Sequence, residues 1–179
     1  MTKTNKIIIW VIAILAVVAI AFVLSTHKAS ADKVEIGALF PLTGGLASYG
    51  EPAQKSAQLA VDEINAAGGI NGKHLEINFQ DHKCDPKLAV TAYQSLHSQG
   101  VKTYLEVACS GAVLSVAPQL NDSVLLVSAA TSPKISKVSP YVFRNYASDD
   151  NESKLFADQI IKSGYKNVGV IFEDRKSVV

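Results

Sequence analysis

The sequence predicts an α/β fold: an open parallel sheet covered by helices on both faces. Short apolar runs alternate with stretches in which apolar residues recur every three to four positions. Each strand–helix–strand unit spans about 30 residues, a length that favours parallel pairing through right-handed crossovers. The 17 Lys+Arg against 16 Asp+Glu argue separately against a general nucleic-acid-binding role, which usually needs a basic excess.

Three strands and two helices make up the first part of this pattern. The predicted order is a strand at 34–40, a loop at 41–50, a helix at 52–67, a strand at 74–80, a helix from Asp85-Pro86 to Gly100, and a strand at 102–108. Gly68-Gly69 ends the first helix, because glycine readily takes the left-handed conformation. Asp85 is the N-cap of the second helix, and Pro86 suits its first turn. The apolar stripe of that helix is predicted to be Leu88, Ala89, Ala92 and Leu96.

The second part contains two further helices and two further strands. Their predicted order is a helix at 111–120, a strand at 123–128, a helix at 150–163 and a strand at 167–172. Pro133 and Pro140 indicate an irregular connection before the last helix. Asp149-Asp150 is predicted to cap that helix.

The first 31 residues have the layout of a secretory leader. Two lysines and no acid precede eighteen consecutive apolar residues at 7–24, and small residues follow at Ala29 and Ala31. Cleavage after Ala31 and retention as a membrane anchor both stay open, because eighteen apolar residues nearly cross a bilayer. Either outcome places the rest of the chain outside the cytoplasm. That remainder is mildly acidic, with 14 basic against 16 acidic side chains.

Both cysteines, Cys84 and Cys109, follow the leader. Export to an oxidising compartment favours one disulfide between them. The alternative is a metal site built from His82 and Cys84 with His74 or His97, although no CxxC or HxxxH spacing supports it.

Three loops rich in small residues are predicted to share one edge of the sheet. They lie at 41–50, 108–112 and 128–133, after strand ends where open α/β sheets bind ligands. Ser110 opens a helix and Thr131 follows a strand, so their hydroxyls and nearby backbone N–H groups suit a carboxylate. Both residues could also be simple caps. Tyr49 could add an apolar wall and a hydroxyl.

Nucleotide binding and catalysis lack their usual motifs. Gly45 and Gly50 have the spacing of a P-loop, but Glu51 replaces its lysine. Ser110 lacks the flanking glycines of a nucleophile elbow, and no histidine follows His97, which disfavours an α/β hydrolase. We therefore expect binding rather than catalysis, with no cofactor and no metal.

Several segments together resemble the periplasmic leucine/isoleucine/valine-binding proteins. The segments are IGALFPLTGGLASYGEPAQKSAQLAVDEINAAGGINGKHLEI, CDPKLAV, ACSG, SAATSPKIS and YVFRNYASDD, within about residues 34–174. The resemblance implies the first lobe of a two-lobed clamshell that closes on a free, branched-chain type amino acid. It implies delivery of that amino acid to an ABC permease in the membrane. A membrane-anchored amino-acid sensor is the alternative.

Carried over by position, the resemblance implies four ligand-binding residues and a disulfide. Tyr49 lines the pocket, and Ser110 holds the α-carboxylate of the ligand. Ala129 and Thr131 grip the carboxylate and the ammonium through backbone and hydroxyl groups. Cys84 and Cys109 match the disulfide pair of the family.

The resemblance also divides the chain into three parts. Residues 1–31 form the leader or anchor, 32–148 the first ligand-binding lobe, and 149–179 the start of a second lobe. Family members are longer than this chain, and EDRKSVV at 173–179 departs from them. We therefore expect a truncated form or a fragment with an incomplete pocket, and the amino acid it binds is not predicted.

Overall fold

A computed structural model describes residues 33–171 of the chain. The α-helices and strands of this range are β1 (Lys33–Phe40), α1 (Ala47–Ala66), β2 (His74–Asp81), α2 (Pro86–Ser98), β3 (Thr103–Val107), α3 (Ser110–Val116), β4 (Val124–Ser128), β5 (Val142–Arg144) and α4 (Asp149–Lys162). Two 3₁₀ turns, Ala117–Gln119 and Pro133–Lys137, follow α3 and β4. The predicted leader at 1–31 lies outside the described residues.

The five strands form one parallel sheet in the order β2-β1-β3-β4-β5. The chain moves from β1 outward to β2 and then crosses back over β1 to reach β3. The strand order therefore reverses at β1 and β3, where open sheets form a crevice. The predicted α/β fold with an open parallel sheet is confirmed.

One face of the sheet is buried beneath α2 and α3. Leu39, Tyr104 and Leu125 project from neighbouring strands into a core that includes Leu96 and Val113. All five side chains are at most 1% exposed, and burying a large apolar side chain contributes about 1.5–3 kcal/mol each. This packed face fixes the strand ends that carry the candidate site.

The opposite face is covered by α1 at one end and is open at the other. Leu105, Leu126 and Phe143 line a groove of about 500 Å³ there with Ala53 of α1. Leu126 is 41% exposed and Phe143 is 56% exposed. β3 and β4 therefore also carry apolar side chains on a face that the described residues leave uncovered.

The helix predicted at 52–67 begins five residues earlier, at Ala47. A Cβ at Gly50 would lie 2.1 Å from the carbonyl oxygen of Pro41, so glycine lets the helix start directly against the first loop. Tyr49 therefore lies in the first turn of α1, and the prediction of a loop over all of 41–50 is wrong.

Two other predictions are corrected. Leu88 is 42% exposed, and the buried stripe of α2 uses Tyr93 in its place. Residues 167–171 form no strand and are largely exposed, because no strand in the described part of the chain pairs with them. The fifth strand is instead Val142–Arg144, where Leu126 of β4 lies opposite Phe143.

Within residues 33–171, no helix combines the length and apolar character that a membrane span requires.

Candidate functional site

The candidate site lies at the carboxyl ends of β1, β3 and β4, which are neighbours in the sheet. The segments leaving these strands carry the small residues that the sequence singles out. The parallel register brings them to one edge, with Val107 of β3 opposite Ser128 of β4.

Asp81, at the end of β2, holds the segment that follows β1. Its Oδ1 accepts hydrogen bonds from the N–H groups of Leu42 (3.0 Å), Thr43 (3.3 Å) and Lys83 (2.9 Å), and the Thr43 hydroxyl donates to Oδ2. Desolvation raises the pKa of Asp81, but these four donors outweigh it and hold the pKa below its usual value. The loop that leads to Tyr49 is thereby tied to the sheet edge.

Ser110 and Ser132 join the segments that follow β3 and β4. The N–H of Ser132 donates to Ser110 Oγ across 3.2 Å. Oγ accepts this bond and donates to no group within residues 33–171, so its own hydrogen can point to a ligand oxygen. Ser110 is the first residue of α3, and its side chain bonds to the neighbouring loop instead of capping the helix.

Two alanines turn the chain sharply where β3 and β4 end. Ala108 has φ +71° and Ala129 has φ +58°, both in the left-handed region that costs a non-glycine residue about 1 kcal/mol or more. The N–H of Ala108 donates to the carbonyl of Ser128 across 3.0 Å. Adjacent strand ends therefore turn in the same way and keep their two loops side by side.

Thr131 bonds to Asp149 at the start of α4. The Thr131 hydroxyl donates to Asp149 Oδ2 across 3.0 Å, and the Asp149 N–H donates to the Thr131 carbonyl across 3.0 Å. The N-cap of α4 is Ser148, without a side-chain capping bond. The prediction that Asp149 caps this helix is therefore wrong, because its carboxylate is used by Thr131.

The structure brings three of the four predicted ligand residues together. Ala129 and Thr131 belong to one short segment, and Ser110 reaches that segment through Ser132. Tyr49 is 59% exposed on α1, and its hydroxyl has no hydrogen-bond partner within residues 33–171. Whether these four side chains meet a ligand stays a prediction.

Cys84 and Cys109 form a disulfide, with their Cα atoms 5.5 Å apart. The bond links the start of α2 to the residue that precedes Ser110. Cys109 is 1% exposed, so the bond anchors the entry of α3 to the core.

A buried histidine–glutamate pair lies beside this disulfide. Burial raises the pKa of Glu106 well above its usual range, although the N–H of Cys109 donates to its Oε1. Burial also lowers the pKa of His82. With 3.7 Å between His82 Nε2 and Glu106 Oε1, the geometry suits an ion pair, but both shifts favour uncharged partners.

His82, Glu106 and Cys109 offer ligand atoms within 4.8 Å of one another, but most of these atoms are already engaged. His82 Nδ1 accepts from the N–H of Cys84 at 3.0 Å, which leaves Nε2 to donate to the Leu39 carbonyl at 2.9 Å. The Cys109 sulfur is in the disulfide. Among the atoms of this cluster, only Glu106 Oε2 has no hydrogen-bond partner. The cluster as folded therefore offers one free atom to ligate a metal ion and is a poor metal site.

Hydroxyl groups, a carboxylate and sharply turned backbone thus meet at the edge where the strand order reverses. This combination is typical of α/β folds that bind ligands beyond the ends of their parallel strands. The sequence also matches the periplasmic binding protein family over residues 33–178. The chain belongs to that family.

A curated relative carries the name Leu/Ile/Val-binding protein homolog 3, from Brucella melitensis biotype 1. It is 32% identical over 164 residues, which are 89% of this chain and 45% of the relative. This chain therefore spans less than half the length of that relative.

Solved structures show the same fold. The branched-chain amino acid transporter substrate binding protein LivJ from Streptococcus pneumoniae, in complex with isoleucine, is 37% identical with a TM-score of 0.62, over 65% of this chain and 34% of LivJ. A solute binding protein of an ABC transporter from Rhodopseudomonas palustris BisB5, in complex with 3,4-dihydroxy benzoic acid, is 25% identical with a TM-score of 0.66. That match covers 74% of this chain and 37% of the other.

Sequence reasoning missed Asp81 and Arg144, which shape this edge, and assigned Asp149 only a capping role. Asp81 and Asp149 accept hydrogen bonds from distant segments, and Arg144 donates to the segment after β4. Each lies at a strand or helix end, where a polar residue is common, so no local pattern distinguishes them.

Proposed function

We propose that this chain contributes a ligand-binding lobe to an extracytoplasmic solute-binding protein. The ligand is a small aliphatic amino acid of the branched-chain type, and its destination is an ABC permease. Residues 32–148 form this lobe in the proposal, and 149–179 begin a second one. The Brucella relative and LivJ support it by their names. The disulfide supports an oxidising compartment outside the cytoplasm.

The observation that carries the proposal is the opposite hydrogen-bonding polarity of two hydroxyl groups on adjoining segments of this edge. Ser110 has its hydrogen free to donate, which suits a carboxylate. Thr131 gives its hydrogen to Asp149, so its oxygen is left with lone pairs that suit an ammonium. The Asp149 carboxylate lies beside the Thr131 hydroxyl, and its negative charge adds to the attraction for an ammonium group. The two ends of a zwitterion therefore have complementary partners.

These polarities favour an amino acid over a plain carboxylate. The Rhodopseudomonas palustris protein binds 3,4-dihydroxy benzoic acid, which has no ammonium group. Asp149 would leave its charge without a counter-ion beside such a ligand, and an unpaired charge is costly once water is excluded. Binding rather than catalysis is part of the proposal, because this edge presents donors and acceptors but no activated nucleophile among the described residues.

Titration of the ¹⁵N-labelled protein tests the proposal. Leucine, isoleucine, valine and alanine are added to millimolar concentration while the backbone amide resonances are followed. We expect shifts at Ser110, Ala129 and Thr131, and a loss of affinity of about 1–3 kcal/mol in Thr131→Ala. Absence of any response at these amides, or equal affinity in the variant, would contradict the proposed site. Lys55→Ala is the control, because Lys55 is an exposed residue of α1.

A further inference from the structure

Arg144 is the last residue of β5 and is half-buried. Its Nη1 donates to the carbonyl oxygens of Ala130 (3.4 Å) and Ser132 (2.9 Å), and its Nη2 donates to Ser136 Oγ (2.7 Å). One side chain therefore bonds to three residues of the segment that leaves β4.

The bonded carbonyls frame a single peptide unit. The Ala130 carbonyl belongs to the unit before Thr131, and the Ser132 carbonyl belongs to the unit after Ser132. Between them lies the unit that contains the Thr131 carbonyl and the Ser132 N–H. Asp149 donates to that carbonyl, and Ser110 Oγ accepts from that N–H. The plane of the middle unit thus depends on neighbours that Arg144 holds at both ends.

We propose that Arg144 is a positioning residue for the carboxylate end of the site, acting through Ser132 to orient the hydroxyl of Ser110. The ligand in this inference rests on the proposed function, whereas the contacts of Arg144 do not depend on it. The segment starts at Ala129, whose left-handed conformation is unfavourable for alanine. Without the guanidinium, the segment has fewer bonds to keep that conformation.

The three hydrogen bonds at position 144 require an arginine and not merely a positive charge. A guanidinium is planar and presents several N–H groups in a fixed fork, whereas lysine presents one compact ammonium. A lysine at position 144 keeps the charge but cannot hold both carbonyl oxygens and Ser136 Oγ at once. Arg144→Lys is therefore the informative variant, and Lys137→Met is a matched control, since Lys137 is exposed in the 3₁₀ turn beside the same segment.

The first test needs no ligand. Hydrogen exchange of the Ser132 amide is measured in the wild type, in Arg144→Lys and in Lys137→Met, with the amide of Leu125 in β4 as internal reference. We expect exchange at Ser132 to become about tenfold faster in Arg144→Lys only, as for loss of a restraining bond. Unchanged exchange at Ser132, or equal acceleration at Leu125, overturns the proposal.

The second test is a double-mutant cycle with L-leucine. We expect Arg144→Lys to weaken binding about tenfold, and to add less than about twofold in a Ser110→Ala background, because coupled residues are not additive. An undiminished effect in that background overturns the proposal. Failure of the wild type to bind refutes the proposed function instead and leaves the exchange test decisive.

A second variant serves if Arg144→Lys does not fold. Ser136→Ala keeps the arginine and removes one of its partners, and we expect about twofold to threefold faster exchange at the Ser132 amide. Unchanged exchange there counts against the proposal.

Discussion

Thr131 and Asp149 are joined by two reciprocal hydrogen bonds, each of 3.0 Å, across eighteen positions of sequence. One bond uses the side chains and the other uses the backbone. The pair ties the segment after β4 to the first turn of α4. It also fixes the direction of the Thr131 hydroxyl, because the hydrogen points to Asp149 and the lone pairs point elsewhere.

Asp149→Asn is expected to reduce affinity for leucine about tenfold, since an ammonium loses its charged neighbour. Affinity for 4-methylpentanoate, which is leucine without its ammonium, should stay equal or improve. Asp150→Asn is the matched control, because it removes the same charge one residue further along α4. The binding constants come from amide-shift titrations. Equal losses for both ligands would contradict a role for Asp149 at the ammonium.

Gly50→Ala is expected to destabilise the fold by about 1–3 kcal/mol. The new Cβ would lie 2.1 Å from the Pro41 carbonyl oxygen, so the first turn of α1 must move away from the loop. Gly45→Ala is the control, since a Cβ there meets nothing within 4 Å. Denaturant unfolding measures both, and a similar loss in both variants would argue against this close approach as the cause.

Glu106→Gln is expected to remove the loss of stability that the raised pKa of Glu106 causes as the pH rises above about 4.5. Burial raises the pKa of Glu106, so the folded state keeps a proton that the unfolded state loses above about 4.5. The free energy of unfolding therefore falls as the pH rises from the unfolded pKa towards the folded one. Glutamine does not titrate, and so removes this slope.

Unfolding midpoints at several pH values measure that slope for the wild type and the variant. Glu51→Gln serves as the control, because Glu51 is exposed. A wild-type slope that persists in Glu106→Gln would show that another group causes it.

Asp81→Asn is expected to remove part of the acid sensitivity of the fold. The four donors around Asp81 hold its pKa below the ordinary value of 3.8, so its contribution is complete above that value. It is lost as the pH falls through the lower, folded pKa. Acid titration from pH 6 to 2, followed by circular dichroism, should show lower stability at pH 6 but a smaller further loss in the variant. Parallel curves would contradict this role.

Reduction of the Cys84–Cys109 disulfide is expected to lower the free energy of unfolding by about 3–4 kcal/mol, as for a closed loop of this size. Denaturant unfolding with and without a phosphine reductant measures the loss. Intact mass after alkylation of the unfolded protein should show both cysteines modified only after reduction. Modification without reductant would mean that the bond does not form.

The local patterns of the sequence predict most of the elements. Asp85 accepts from the N–H groups of Lys87 and Leu88, as its position before Pro86 predicts. The short apolar runs at 102–108 and 123–128 locate β3 and β4 correctly. Such predictions succeed because caps and periodicity depend on residues a few positions apart.

Predictions failed where distant segments compete for a residue. Asp149 has the sequence position of a cap, but the Thr131 hydroxyl takes its carboxylate. Residues 167–171 have strand-like composition, yet strand formation needs a neighbour that the described chain does not supply. Val142–Arg144 is short and polar at one end, and it becomes a strand because β4 pairs with it.

The sequence alone determined the parallel α/β architecture, the edge where a ligand would bind, and the residues Ser110, Ala129 and Thr131 as candidates there. Periodicity and turn residues are sufficient for the architecture, the edge, Ser110 and Thr131, since each follows from local geometry and parallel pairing, whereas Ala129 is implied by the family resemblance. Only the tertiary structure decided which way each hydroxyl donates. That depends on Ser132 meeting Ser110 and on Asp149 meeting Thr131, and folding creates both contacts between segments eighteen or more residues apart.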